Sequence, residues 1–293
     1  MTLIPVPSTL VNEYPRRGPM QQYRFAEATA FHCFRCGVSK KAKLQTIYKD
    51  DWNQRLCNGC YGYLLSIYKI KAGTAAFDQR ADALATALLS LNTRDQQREA
   101  ERIIRQSHER ASHLSDKALR FIATANCVAQ SLSEVSDLDW SAATIGYCKA
   151  VEYEIVDRII APLRAAVSLY ELAEDENDKD FGRVARHCAG SAPAPELGTF
   201  VHFLQTAINS KSRRETSHLL KTFFKVIQQW PRSNWILEPT GLSAALLKLS
   251  RDYRNRAAHI DELTEIDYKH CREFVIGPAG ILWQVTLATE PYK

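Results

Sequence analysis

Two groups of residues in this 293-residue chain have the types and spacing to do chemistry. Cys33-x2-Cys36 and Cys57-x2-Cys60 form two pairs separated by twenty residues. A Cys-x2-Cys pair folds into a tight knuckle whose thiolates face one centre. Two such pairs supply the tetrahedral sulfur shell that zinc prefers. The pattern predicts one zinc ion per chain, held by Cys33, Cys36, Cys57 and Cys60. Four thiolates close the shell to water, so this metal is expected to be structural rather than catalytic. The second group lies far along the chain, in Arg254-Asn255-Arg256-Ala257-Ala258-His259. Histidine exchanges protons near neutrality and can act as general acid or base. Arginine keeps its charge, and its planar fork fits two phosphate oxygens. Asn255 can orient the histidine or contact an oxygen. A plainer account also fits: Arg254 pairs with Asp252, Asp261 or Glu262, and His259 is a cation at a helix C-terminus.

These residues need elements to hold them. Residues 1–30 contain four prolines, Pro5, Pro7, Pro15 and Pro19, and little periodicity. They read as an extended arm with at most one short strand. Residues 31–72 form the cysteine module, closed by Gly73-Thr74. From 75 to 135 the chain is rich in Ala, Leu, Gln, Glu and Arg, without Pro or Gly, which predicts helix. Asn92-Thr93 is placed to cap a second helix there. A helical domain is expected over 140–293. Its first long amphipathic stretch is Ile145 to Leu172, which Pro162 should kink or divide. The acidic run from Glu171 to Asp180, and then Gly190 to Pro195, read as surface loop. Helices are expected over 196–209, 214–230 and 240–258. Thr264-Glu265-Ile266-Asp267 should cap another that runs to about Ile276. The tail from Ile281 to Leu287 fits helix or strand. In an unbroken helix Arg254 and His259 stand about 140° apart, so they converge only if the helix ends near His259.

Composition narrows the class. Hydrophobic residues at 45% suffice for buried cores, and a net charge of +5 permits nucleic-acid binding without requiring it. No apolar run of 18 residues exists, so no membrane partner is expected. The N-terminus lacks the basic and apolar regions of a secretory signal, which predicts a cytoplasmic protein with reduced thiols. Cys127, Cys148, Cys188 and Cys271 stand singly and receive no role.

Two resemblances extend the reading. Trp52 to Tyr63, centred on Leu56-Cys57-Asn58-Gly59-Cys60, resembles the second knuckle of GATA-type treble-clef fingers, in which the second cysteine pair opens a helix. Arg35, Lys40, Lys41, Lys43, Lys49 and Arg55 surround it, with Tyr48, Trp52 and Tyr61 interleaved. Such a mixture suits single-stranded nucleic acid, through phosphate attraction and base stacking. It equally suits a protein contact, or a small aromatic core kept soluble by lysines. Arg254 and His259, enclosing four residues, resemble the Arg-x(4–6)-His signature of the HEPN superfamily of helical bundles. The helix expected before them, the Thr264 cap after them, and the acidic positions Glu152 and Glu154 on an earlier long helix add to the likeness. It covers roughly 140–280.

The HEPN resemblance implies a mainly α fold, a helical bundle preceded by the small four-cysteine zinc-binding module. It implies a metal-independent endoribonuclease in which the RNA 2′-OH attacks phosphorus, with Arg254, Asn255 and His259 as catalytic residues. Products would carry a 2′,3′-cyclic phosphate and a 5′-hydroxyl. It further implies a homodimer with a composite site, RNA (tRNA included) as substrate, a regulatory or inhibitor partner, and service as a toxin or anti-phage defence effector. The rival reading is a non-catalytic nucleic-acid-binding or regulatory protein with a treble-clef zinc finger and a helical dimerisation domain. A third is an adaptor that docks a protein partner. Arg94, Arg98, Arg102 and Arg105 share one helical face, but Asp95, Glu99 and Glu101 between them favour ordinary ion pairs over a phosphate ridge. Zinc removal is expected to unfold residues 31–72 and leave the helical site folded.

Overall fold

In a computed structural model, which describes residues 9–133, 138–168 and 172–291, both cysteine knuckles sit at junctions of the same small sheet. Strands β1 (Leu10–Glu13), β2 (Met20–His32), β3 (Ser39–Tyr48) and β4 (Asp51–Leu56) form an antiparallel meander in chain order. The arm expected over residues 1–30 is therefore largely sheet, and its residues 1–8 lie outside the described part. Pro15 precedes a tight turn and Pro19 lies within it: Arg17 and Met20 exchange both backbone hydrogen bonds around Gly18-Pro19. Gly18 adopts φ +59°, and a Cβ there would meet the Tyr68 ring at 2.5 Å. Beyond the turn, β2 packs Phe25 and Phe31 inward, and Trp52 of β4 lies against Tyr23 with ring centroids 5.0 Å apart.

The first knuckle is the β2–β3 turn. Gly37, at φ +69°, donates its N–H to the Cys33 carbonyl at 2.8 Å, a left-handed conformation that glycine adopts without penalty. The second knuckle is the junction of β4 with α1 (Asn58–Lys71), where Cys57 is the N-cap residue and Cys60 lies in the first turn. A helix thus opens at the second pair, as expected. Sheet and α1 share one continuous core with the helices that follow, running from Met20 and Cys33 to Ala288.

The rest of the described chain is helical. Helix α2 (Phe77–Leu89) follows the Gly73-Thr74 break, and α3 (Arg94–Ser107) begins at a Thr93–Gln96 capping box. Helix α4 is Asp116–Leu132, and α5 (Ser141–Ile155) is buried along most of its length. The long stretch expected from Ile145 continues through a π turn at Val156–Ile160 into α6 (Ala161–Ala166). Pro162 removes a donor from the ladder, and the widened turn just before it takes up that irregularity. Residues 169–171, including the start of the acidic run, lie outside the described part.

The loop expected after them holds one short helix, α7 (Gly182–Cys188), and its acidic Asp175 is buried, accepting the Leu219 N–H at 2.7 Å. Helix α8 is Leu197–Asn209. The helix expected at 214–230 is two, α9 (Lys211–Thr216) and α10 (His218–Ile227), because Ser217 caps the second. Helix α11 is Asn234–Leu237 and α12 is Leu242–Lys248. A π turn at Leu249–Arg254 then leads into α13 (Asn255–Ala258). Thr264 and Asp267 form the expected capping box of α14 (Glu265–Ile276), and the apolar tail is helix α15 (Ile281–Ala288). No described helix is long and apolar enough to cross a membrane.

Candidate active site and metal centre

The four sequence-matched cysteines converge. Their Sγ atoms all lie within 4.8 Å of one another, and Cys36 Sγ stands 3.7 Å from Cys57 Sγ. Metal–sulfur bonds of about 2.3 Å in a tetrahedron put sulfurs roughly 3.8 Å apart, so the donor set fits a single ion. Hydrogen bonds reach the sulfurs from their surroundings. The Cys57 N–H donates to Cys33 Sγ at 3.3 Å, and Arg35 Nη1 donates to Cys60 Sγ at 3.5 Å. A hydrogen bond from the Cys60 thiol, helped by backbone N–H groups, draws the Cys33 thiol down to about 4 and leaves Cys60 raised.

Among the interleaved aromatics, Tyr48 is buried against Phe34 and donates to Glu262 at 2.9 Å, while Trp52 packs in the sheet. Arg55 is also buried, donating to the Trp52 carbonyl at 3.0 Å. Two of the three aromatics expected to stack on bases are thus engaged within the protein, while Lys40, Lys41 and Lys43 are exposed along β3. On α3, Arg102 pairs with Glu99 at 2.6 Å and Arg105 with Asp116 at 3.0 Å, the ordinary ion pairs expected there.

At the other motif, the helix does end beside His259. The π turn at Leu249–Arg254 and the single turn of α13 lead to His259 as C-cap residue, with ψ 166°. Arg254 and His259 diverge nonetheless, although the helix end that should let them converge is present. The Arg254 side chain is 2% exposed and reaches inward, where Nε donates to Glu152 Oε1 of α5 at 2.7 Å and Nη1 pairs with Asp78 of α2. Its buried Nη2 has no partner among the described residues. The three partners suggested by proximity in sequence are taken elsewhere: Asp252 by Arg251, Asp261 by His259, Glu262 by Tyr48 and Lys49.

Around Arg254 stands a charged cluster that sequence reasoning missed, apart from the acidic position at Glu152. Lys149 pairs with both Glu152 and Asp82, and Glu196 lies against Asp78. Burial, reinforced by the neighbouring Asp78 carboxyl, pushes Glu196 up to about 7. Asp78 is lowered: burial opposes this, but the hydrogen bond from Glu196 and the Arg254 charge outweigh it. The pair therefore takes up a shared proton as pH falls below about 7. Asp78 and Glu196 sit at the starts of α2 and α8, ordinary places for an acid, so no spacing signals their meeting.

His259 faces the other way. Its side chain is 47% exposed, its Nδ1 lies 3.1 Å from Asp261 Oδ2, and its ring faces that of Phe77 with centroids 6.2 Å apart. A cavity of about 230 Å³ opens here, lined by Phe77, Asn255, Arg256, His259, Asp261 and Leu263. The structure therefore brings His259 and Asn255 to one pocket and leaves Arg254 behind it, joined through α2, whose Phe77 stacks on the histidine while the adjacent Asp78 pairs with the arginine. This arrangement can hold a proton-transfer group at an open surface beside a buried cation. Phe77 was not singled out in the sequence, and a lone aromatic at a helix start gives no signal for it. No protein-family model, curated protein or solved structure matches this chain.

Proposed function

We propose that the chain is a metal-independent endoribonuclease of HEPN type, with His259 as the proton-transfer group. The observation that carries this reading is the exposed His259 sharing a pocket with Asn255, its Nδ1 held by Asp261 and its Nε2 without a hydrogen bond among the described residues. Asp261 meets Nδ1 with both its carboxylate and its backbone N–H, which leaves Nε2 as the nitrogen for general acid–base work. Asn255 contacts a phosphate oxygen or steadies the ring. Arg254 contributes a fixed positive charge behind the pocket and orders α2 against α13 through Asp78. The exposed apolar side chains of Phe77 and Ile260 beside His259 support a second copy of the chain as neighbour, so that two motifs share one RNA-binding cleft. The cysteine cluster holds zinc as a structural ion, because four thiolates suit that metal and leave it no open position. A toxin or defence role follows from the HEPN reading alone.

The alternative, a non-catalytic nucleic-acid-binding or regulatory protein, is favoured by one observation: Arg254 is spent on Glu152 and Asp78 rather than presented to solvent. Incubation of the full chain with total RNA separates the two. The enzyme reading expects cleavage that persists with chelator outside the folded zinc site and disappears in His259→Ala. Absence of cleavage by the dimeric wild-type protein favours the alternative.

A further inference from the structure

The metal module and the His259 loop are joined by a chain of buried contacts that neither the cysteine motif nor the arginine–histidine motif calls for. Helix α1 begins at the metal ligands and ends about 20 Å away, by its rise per residue, at Lys71. Lys71 is 2% exposed. Its ammonium donates to Asp139 Oδ2 at 3.0 Å, to Ser141 Oγ at 3.0 Å and to the backbone carbonyl of Asp261, two residues past His259, at 2.5 Å. Asp139 completes the knot: its Oδ1 accepts the Leu263 N–H at 3.2 Å and the Ser141 N–H at 3.0 Å. The same Lys71 offers its carbonyl to Arg80 Nη1 at 2.7 Å. The Arg80 guanidinium then lies over the Phe77 ring, 4.7 Å from its centroid, and Phe77 faces His259. Two routes thus run from the last residue of α1 to the imidazole, one through the loop backbone and one through the ring stacked on it.

A third tie comes from the sheet. The β3–β4 turn places Lys49 and Asp50 at φ 51° and 60°, a left-handed pair that hairpins usually fill with Asn and Gly. Two non-glycine residues hold such a turn only where neighbours over-determine it. Here the Lys49 N–H donates to Pro19 O at 2.7 Å, the Lys49 ammonium pairs with Glu262 at 2.8 Å, and Tyr48 Oη donates to the same carboxylate at 2.9 Å. The hairpin tip therefore grips the loop between Asp261 and Leu263, beside a cavity of about 400 Å³ that separates it from α1.

We propose that the metal-binding module is a positioning device for His259, with Lys71 and Glu262 as its positioning residues. A bound metal fixes the start of α1 and the ends of β2 and β4. The far end of α1 and the β3–β4 tip then hold residues 260–263, and these set the angle at which the imidazole leaves α13. The module touches no reacting group, yet its loss loosens the loop on which proton transfer depends. This differs from a module that folds and unfolds without consequence for the helical site. The enzymatic consequence rests on the ribonuclease reading; the mechanical coupling does not.

The experiment compares metal-loaded full-length wild-type protein, the metal-stripped protein, and metal-loaded Glu262→Ala and Lys71→Met. Amide exchange is followed at residues 260–263, with α8 as the remote reference, and ring proton–carbon spectra follow His259, assigned through His259→Gln. Loaded Glu262→Ala is expected to retain its metal and α8 protection while the loop amides exchange about tenfold faster, the loss of a charge-assisted tie. The His259 signal should move in the same direction as in the stripped protein. Lys71→Met should exceed that effect; because it strands buried Asp139 it can also fail to fold, and Glu262→Ala, at a side chain 31% exposed, then decides. Unchanged loop exchange and an unmoved His259 signal in Glu262→Ala would overturn the proposal. If RNA cleavage occurs, both variants should lower kcat with little change in KM. If the loop responds but no RNA is cut, the coupling stands and the ribonuclease reading fails.

Discussion

Replacing Arg254 with alanine should damage the fold as well as the chemistry, and the two effects can be separated. The guanidinium is 2% exposed and faces Glu152, whose side chain is 10% exposed. Removing one member of a buried pair leaves the other as an uncompensated charge, which costs about 3–5 kcal/mol. Lys149 still pairs with Glu152, and Asp78 is 32% exposed and keeps some hydration, so the lower end applies, about 3 kcal/mol. For a chain of this size that lowers Tm by about 5 °C. The assay is thermal unfolding at neutral pH of wild type, Arg254→Ala, Glu152→Ala and the double variant. The double variant should be less destabilised than the two singles added, with a coupling of about 1–3 kcal/mol. A Tm for Arg254→Ala within about 1 °C of wild type would refute the reasoning and return the arginine to a purely chemical role. Loss of cleavage in Arg254→Ala therefore counts as catalytic only when measured well below the variant's own Tm.

Two further outcomes follow from packing and protonation. Glu196, pushed up to about 7, binds its proton more tightly folded than unfolded, so its contribution to stability is fully present below the unfolded value of 4.5 and is lost as pH rises through about 7. Asp78, being lowered, works in the opposite sense and only at lower pH. The Tm of wild type should thus fall relative to that of Glu196→Gln from pH 4.5 to about 7, and a gap unchanged across that window would remove the shared proton. Gly146 lies where α5 crosses its neighbours: an added Cβ would stand 2.7 Å from Leu88 Cδ2 and 2.9 Å from Ala125 Cβ. Gly146→Ala should destabilise by about 1–3 kcal/mol of overpacking, less the roughly 1 kcal/mol that alanine gains as a helix former. Urea unfolding measures the net, and a stabilised variant contradicts the close approach.

Local signals carried far, because they act through adjacent residues. The cysteine spacing, the Thr93 and Thr264 caps and the helices at 197–209 and 265–276 each depend on groups a few positions apart. The strands of residues 10–32 were hidden because Pro15 and Pro19 lie before and within a turn and not in a structureless arm, and because only scattered positions of β2 are buried. The 214–230 helix divides at Ser217, a cap that the apolar pattern does not reveal. For the site, Arg254 and His259 could be singled out, but their divergence could not, because the helix ends at His259 as convergence would require. Their partners could not. Asp78 stands 176 residues from Arg254, and Lys71 stands 190 residues from Asp261, so nothing short of the folded chain brings them together.

Whether His259 moves protons for RNA cleavage can be tested at the products. The most direct measurement incubates the loaded wild-type protein and His259→Gln with RNA and determines the chemistry of the product ends. Wild type should yield 2′,3′-cyclic phosphate and 5′-hydroxyl ends, with His259→Gln folded to the same Tm and inactive. Cleavage by His259→Gln at the wild-type rate, or products bearing 5′-phosphate, would contradict that role.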